Sequence, residues 1–223
     1  MKVWDAIAGG AIDLVRALRV SSDPRRAPKC FVLSLHRSGT RSVIGLCRDL
    51  GLKAVHFPVR HNGIKLQPKI KGRETDRDHV VDVLEPVIHR HDSMADVPTP
   101  VLYRELDERY PNAKFLLLRR KPANWIRSVR NHIGSRDFHR YERVQYWHYF
   151  PQEPQALREL SDGDLKKMCE RHFSQVQDYF GKRGRKKFAA FDLEEPCVGR
   201  QIGAFLNRHT EKKLPHIRDK RSN

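Results

Sequence analysis

The chain has 223 residues, 39% of them hydrophobic and 32% charged, with a formal net charge of +17 and a pI near 10.1. That length holds one substantial domain with its own core and excludes two of ordinary size. So large a positive excess is spread along the chain rather than confined to a tail, and it calls for an anionic partner: a charged small molecule, an acidic acceptor, a membrane surface or nucleic acid.

In chain order, Val3, Ile7, Ala11, Leu14 and Leu18 fall on one helical stripe, and Asp5 and Asp13 make the segment too polar to span a bilayer. It reads as an amphipathic helix that packs on the domain or a partner, with peripheral membrane contact through residues 2–19 as the minor alternative. Ser21 to Pro28 form a linker. The expected organisation is helix and linker over 1–28, an α/β domain over 29–218 and a basic tail over 219–223.

The apolar run Cys30 to Leu35 predicts a strand, and it meets His36-Arg37-Ser38-Gly39-Thr40-Arg41-Ser42 directly before a helix over about 40–50. This order sets unpaired backbone N–H groups and the positive end of a helix dipole at the turn, where they favour an anion. Gly39 permits close approach, Ser38, Thr40 and Ser42 offer hydroxyls, and Arg37 and Arg41 add charge. It is not a Walker A loop, which requires G-x-x-x-x-G-K-[ST]. A phosphate or sulfate group is the ligand this turn suits.

A short strand over 53–56 follows, then a long polar loop over 57–72 of the kind that is usually functional or disordered. Helices are expected over 74–85 and 99–109. Phe115 to Leu118 predict a strand buried on both faces, ending in Arg119-Arg120-Lys121-Pro122, with Pro122 opening a helix over 122–133. Arg120 would then lie at the carboxyl end of a buried strand, with Arg119 as the alternative, and Ser128 two helical turns further on. Helices over 137–149 and 162–181, a strand over 187–193 and a helix over 197–208 complete an alternating pattern. It predicts an α/β fold, a central parallel sheet with helices on both faces.

Strand, His-Arg-Ser-Gly-Thr, helix, and then a strand ending in arginine with serine eight residues on: together these resemble the P-loop-like sulfotransferases, bacterial type. The linking segment His91 to Lys114 and the tail Leu214-Pro215-His216-Ile217-Arg218 carry the similarity across residues 29–218. The resemblance implies a P-loop-NTPase-like architecture and 3′-phosphoadenosine-5′-phosphosulfate (PAPS) as sulfuryl donor. It also implies that Arg37, Ser38, Gly39, Thr40, Arg41 and Ser42 hold the 5′-phosphosulfate, while Arg120 and Ser128 hold the 3′-phosphate. Arg37 stands where many cytosolic members have the lysine that bridges to the transferring group. The acceptor expected is a small molecule, glycan or lipid.

For the base that deprotonates the acceptor, His56 at a strand end is the first candidate and Asp96 the second, with Glu85, His91 and Asp92 competing. No histidine or cysteine spacing suits a metal, so none is expected. The four cysteines, without C-x-x-C spacing, read as buried thiols of a reducing compartment, and the expected location is cytoplasmic. Two other classes compete. A small-molecule kinase would need a P-loop lysine and a magnesium-binding acid pair. A noncatalytic basic protein binding nucleotide or nucleic acid could stack bases on the aromatics between Phe138 and Phe150, though no nucleic-acid motif accompanies them.

Overall fold

The computed structural model describes residues 23–182, 186–208, 210–212 and 214. The expected N-terminal helix, the basic tail, most of the Leu214–Arg218 segment and part of the 182–187 basic run lie outside the described residues. The strands are β1 (Cys30–Val32), β2 (Ala54–His56), β3 (Arg60–His61), β4 (Ile64–Lys65), β5 (Ser93–Ala95), β6 (Lys114–Arg119) and β7 (Phe188–Asp192). The helices are α1 (Thr40–Asp49), α2 (Arg77–Arg90), α3 (Tyr103–Arg109), α4 (Pro122–Ile133), α5 (Arg140–Tyr149), α6 (Asp162–Gly181) and α7 (Val198–Phe205). Five strands form one parallel sheet in the order β2-β5-β1-β6-β7, and β3 and β4 make a separate antiparallel hairpin.

Period-two alternation along the strands divides the core into two layers. Phe31, Met94, Phe115 and Leu117 face the layer closed by α2 to α6, through residues such as Leu84, Leu106, Trp125, Tyr141 and Val176. Cys30, Val32, Ala95, Leu116 and Leu118 face the other, closed by Val43, Ile44 and Leu46 of α1 and Val198 and Ile202 of α7. Helices on both faces explain why β6 is a continuous apolar run.

Three expectations change. β5 has no counterpart among the expected elements: Ser93-Met94-Ala95 is short and lacks β-branched residues, and it becomes a strand because it sits between β1 and β2, pairing with Cys30 and with Ala54 to His56. The segment 57–72 is ordered rather than a loop. Leu66 and Ile70 are buried, the Tyr141 hydroxyl donates to the Pro58 carbonyl at 3.0 Å, and a short 3-10 turn covers Gln67–Ile70. Cys30, Cys47 and Cys169 are buried free thiols as expected, whereas Cys197, at the N-terminus of α7, is exposed.

The parallel register gathers the carboxyl ends of the strands at one edge. There β2 ends in His56, Asp96 follows β5, β1 runs into the glycine turn, and β6 ends in Arg119. Asp92 and His91 precede β5 and lie at the opposite edge. Asp92 accepts from the Lys53 backbone N–H, His91 Nδ1 lies 2.8 Å from the Val87 carbonyl, and Glu85 is paired with Arg25. Packing and pairing at that edge remove all three from candidacy as the base.

Candidate active site at the carboxyl edge of the sheet

The turn after β1 is held by side chains from distant helices. The Leu33 N–H donates to the Leu116 carbonyl at 2.7 Å, and the Ser34 hydroxyl accepts from Leu118 N–H at 2.7 Å. The Leu33 carbonyl lies 2.7 Å from His172 Nε2, whose other ring nitrogen is 2.6 Å from the Tyr149 hydroxyl. A carbonyl can only accept, so Nε2 carries the proton and Nδ1 accepts from tyrosine. Burial pushes His172 down to about 4, which keeps this ring neutral at pH 7. The indole of Trp125 donates to the His36 carbonyl at 2.8 Å, and Arg120 donates to the Arg37 carbonyl at 2.5 Å. His36 itself is buried against the Tyr146 hydroxyl at 2.9 Å and is lowered to about 3 by burial.

With those carbonyls satisfied from the core side, the loop can leave its amides at the start of α1 free of intrahelical partners. Arg37 and Gly39 both take left-handed backbone, with φ of 64° and 77°. A methyl on Gly39 would come within 2.7 Å of Leu193 Cδ1, but that side chain can turn aside, so the backbone conformation carries most of the penalty. Gly39→Ala is expected to destabilise the fold by about 1–2 kcal/mol. Scanning calorimetry should show a melting temperature roughly 2–8 °C lower, and an unchanged one would remove the left-handed requirement.

Around this loop gather the basic groups. Arg37 Nε lies 3.4 Å from Ser128 Oγ, and Arg120 crosses to the loop backbone, so three sequence candidates form one cluster. Arg120 is held below its ordinary value by burial first, then by the positive charges of Arg37 and Arg127, with Glu194 opposing. Arg119, the last residue of β6, is exposed and contributes its carbonyl to Leu193 N–H, whereas Arg120 is half-buried and turned toward the loop. The strand ends one residue later than expected because β7 pairs with it as far as Asp192. Ser38 is 1% exposed and its hydroxyl has no partner among the described residues. A buried orphan hydroxyl beside clustered cations is an arrangement that an oxyanion completes. Thr40 is buried with its hydroxyl on His56, Ser42 is buried in the first turn of α1, and Arg41 is exposed.

A cavity of about 980 Å³ opens beside this cluster. Arg37, Arg41, His56, Asp96 and Ser128 border it, with Phe57 and Phe138 among its apolar walls. His56 Nε2 lies 3.0 Å from the Thr40 hydroxyl and 3.1 Å from Asp96 Oδ2, and the Asp96 Oδ1 accepts from Val97 N–H at 2.9 Å. The two base candidates therefore touch, on a residue whose backbone is also left-handed (Asp96 φ 75°). Burial pushes the Asp96 carboxyl up to about 6; the Val97 N–H, Arg41 and Arg37 pull the other way, and Glu142 adds to the rise.

Several contributors carried no local sequence signal. Trp125, Tyr146 and His172 reach the loop from α4, α5 and α6. Glu142 of α5 is buried in the cavity wall, held below its ordinary value by Arg136 and His139 despite burial. Phe138, Tyr141, Tyr146 and Tyr149 are buried in the core, and Phe138, which lines the cavity, stacks on Tyr146 at 4.2 Å, so these four rings are not open to bases. No group of three or more histidine, cysteine or acidic residues is placed to hold a metal ion among the described residues, and none of their helices is long and apolar enough to cross a membrane.

A five-stranded parallel sheet with helices on both faces and a glycine turn joining the central strand to a helix is the architecture shared by sulfotransferases and P-loop kinases. The chain belongs to the sulfotransferase-domain family, whose profile matches residues 29–222. Over 109 residues it is 30% identical to "Ava biosynthesis cluster protein M" of Aspergillus versicolor, a match covering 46% of this chain and 42% of that protein. The match thus spans less than half the length of that relative. Among solved structures it is similar to a sulfotransferase from Alicyclobacillus acidocaldarius, with a TM-score of 0.51 and 17% identity over 87% of each chain. A shikimate kinase from Bacteroides thetaiotaomicron gives a TM-score of 0.50 and 14% identity, covering 80% of this chain and 98% of that one. These two likenesses are of fold.

Proposed function

We propose that this protein transfers a sulfuryl group from PAPS to a hydroxyl or amine of an acceptor bound in the 980 Å³ cavity. The observation that carries the reading is the convergence of Arg37, Arg120 and Ser128 on a glycine turn whose buried Ser38 hydroxyl has no partner among the described residues. Such a cluster of like charge is stabilised by a polyanion spanning it. PAPS, when bound, supplies an activated sulfuryl group on a leaving phosphate.

The residues divide the work. Ser38, Gly39, Thr40, Arg41 and Ser42 hold the 5′-phosphate end through turn amides and hydroxyls, and Arg120 with Ser128 hold the 3′-phosphate. Arg37 lines the cavity from the start of the turn, ahead of Arg41 on the helix, and is assigned to stabilise charge on the transferring group. A guanidinium keeps its charge, and its role is electrostatic rather than proton donation. The Asp96 carboxylate takes the acceptor proton, and His56 holds that carboxylate through Nε2. As in phosphoryl transfer, most of the rate derives from positioning and electrostatics. A kinase on this fold would carry lysine after the loop glycine, whereas Thr40-Arg41 follow Gly39 here.

Thermal shift with adenosine 3′,5′-bisphosphate, AMP, and ATP with magnesium tests the donor site. The bisphosphate should raise the melting temperature most, without a metal. Arg120→Ala should remove about 1.5–3 kcal/mol of the preference for the bisphosphate over AMP, the usual worth of charged hydrogen bonds. Equal affinity of the native protein for the two nucleotides would sink the assignment of Arg120 and Ser128. A larger shift with ATP and magnesium would favour a kinase.

A further inference from the structure

The hairpin that leaves the cavity wall joins a cationic surface to an exposed aliphatic side chain. Residues 57–73 contain Arg60, Lys65, Lys69, Lys71 and Arg73 and no acidic residue. β3 and β4 close around Asn62-Gly63, both at positive φ (48° and 77°), as a two-residue hairpin turn requires. Beside that turn Ile64 is 54% exposed, the one exposed large hydrophobic side chain among the described residues. Arg73 pairs with Asp76 and Arg60 donates to the Gly63 carbonyl. Among the described residues, Arg60, Lys65, Lys69 and Lys71 have no carboxylate partner.

The root of the hairpin is fixed. Phe57 and Val59 line the cavity, Leu66 N–H donates to the Val59 carbonyl at 3.0 Å, and Leu66 and Ile70 are buried. A rigid base with an exposed aliphatic tip among unpaired cations is the pattern of a segment that seats its tip at the acyl boundary and its cations on headgroup phosphates. The segment's one aromatic, Phe57, is packed against His139 and Tyr141, so no base-stacking platform is offered to a nucleic acid. A soluble polyanion would use the cations and leave Ile64 without a role.

We infer that the β3–β4 hairpin docks the protein on an anionic lipid surface, with Ile64 inserted and Lys65, Lys69 and Lys71 on phosphates. Docking there holds the adjoining cavity, lined by Phe57 and Val59 at the root of the hairpin, near the bilayer, so an acceptor would enter from the lipid interface. That last step rests on the transfer reaction proposed above; docking itself does not.

The test is co-sedimentation of the full chain with vesicles of phosphatidylcholine, or of phosphatidylcholine with about one third phosphatidylserine, in about 0.15 M salt. The protein should bind the anionic vesicles and not the neutral ones. Lys65→Ala with Lys69→Ala should lower partitioning about 25-fold, at about fivefold per cation, and Ile64→Ser about fivefold. Lys166→Ala with Lys167→Ala on α6 makes the same change of charge and should alter binding less than about twofold, since it leaves the headgroup contacts intact. Melting temperatures confirm that each variant is folded. Absent binding to anionic vesicles, equal losses in the α6 control, or an unaffected Ile64→Ser variant would each overturn the proposal. If Ile64→Ser binds vesicles normally while the hairpin lysine variant loses retention on heparin, the patch belongs to a soluble polyanion instead. No donor or turnover enters the measurement, so its failure leaves the transfer reaction standing.

Discussion

Arg37→Ala is expected to lower turnover about 100- to 1000-fold at saturating donor, the usual effect of deleting one preorganised charge donor at a transition state. Arg37 lines the cavity, while its backbone carbonyl is anchored by Arg120 on the other side of the loop. The side chain can therefore be removed without releasing the loop. Binding of adenosine 3′,5′-bisphosphate, which lacks the sulfuryl group, should weaken far less than turnover, because a transition-state contact acts on rate beyond ground-state affinity. Arg41→Ala, on the exposed first turn of α1, should show the reverse pattern, with donor binding weakened and turnover at saturation largely kept. The assay is transfer of labelled sulfate from PAPS to a panel of hydroxylated lipids, glycans and phenols. If Arg37→Ala lost affinity alone, the arginine would be a binding group and not a catalytic one.

The second large effect concerns Asp96. Asp96→Asn should depress turnover by about 10²- to 10⁴-fold, the range of general-base contributions, and leave bisphosphate affinity within about twofold. A carboxyl that ordinarily ionises at 3.8 is pushed by burial to about 6 here. A base must be ionised to accept a proton, so the native rate should fall as pH drops below about 6, and that limb should disappear in the asparagine variant. His56→Gln should move the limb without abolishing it, because the imidazole touches the carboxylate rather than replacing it. A native profile flat between pH 5 and pH 7 would exclude the His56–Asp96 pair as the base. The same shift acts on the fold. Between 3.8 and about 6 the folded state retains a proton that the unfolded chain has released, so stability falls across that window as pH rises. Asp96 is thus held ionised at neutral pH at the expense of stability, as active-site groups often are.

The legible part of the sequence was the part where residues speak for their own backbone. Phe115 to Leu118 declared a doubly covered strand, and Pro122 opened α4 at the residue expected. Gly39 placed the turn, and α1 begins one residue later. β5 was illegible because three ordinary residues become a strand through their neighbours, and without β5 nothing placed Asp96 beside His56. The Asn62-Gly63 turn carried a hairpin signal, but strands of two residues are too short to show alternation. The groups that hold the loop were invisible for a different reason. Trp125 and His172 are buried core residues, and their polar edges acquire meaning only once the loop lies against them.

That dependence reaches into how the site comes into being. The ring that holds the Leu33 carbonyl lies 139 residues further along the chain, and the indole that holds the His36 carbonyl lies 89 residues away. Contacts of such separation form only after most of the chain has condensed, since loop closure must precede any return from them. A growing chain that had completed β1, the glycine turn and α1 would own every residue of the anion motif and still lack its shape. The motif becomes competent when α6 docks and the His172–Tyr149 pair closes over Leu33, which makes ligand capture a report on the finished fold rather than on its first helical turn.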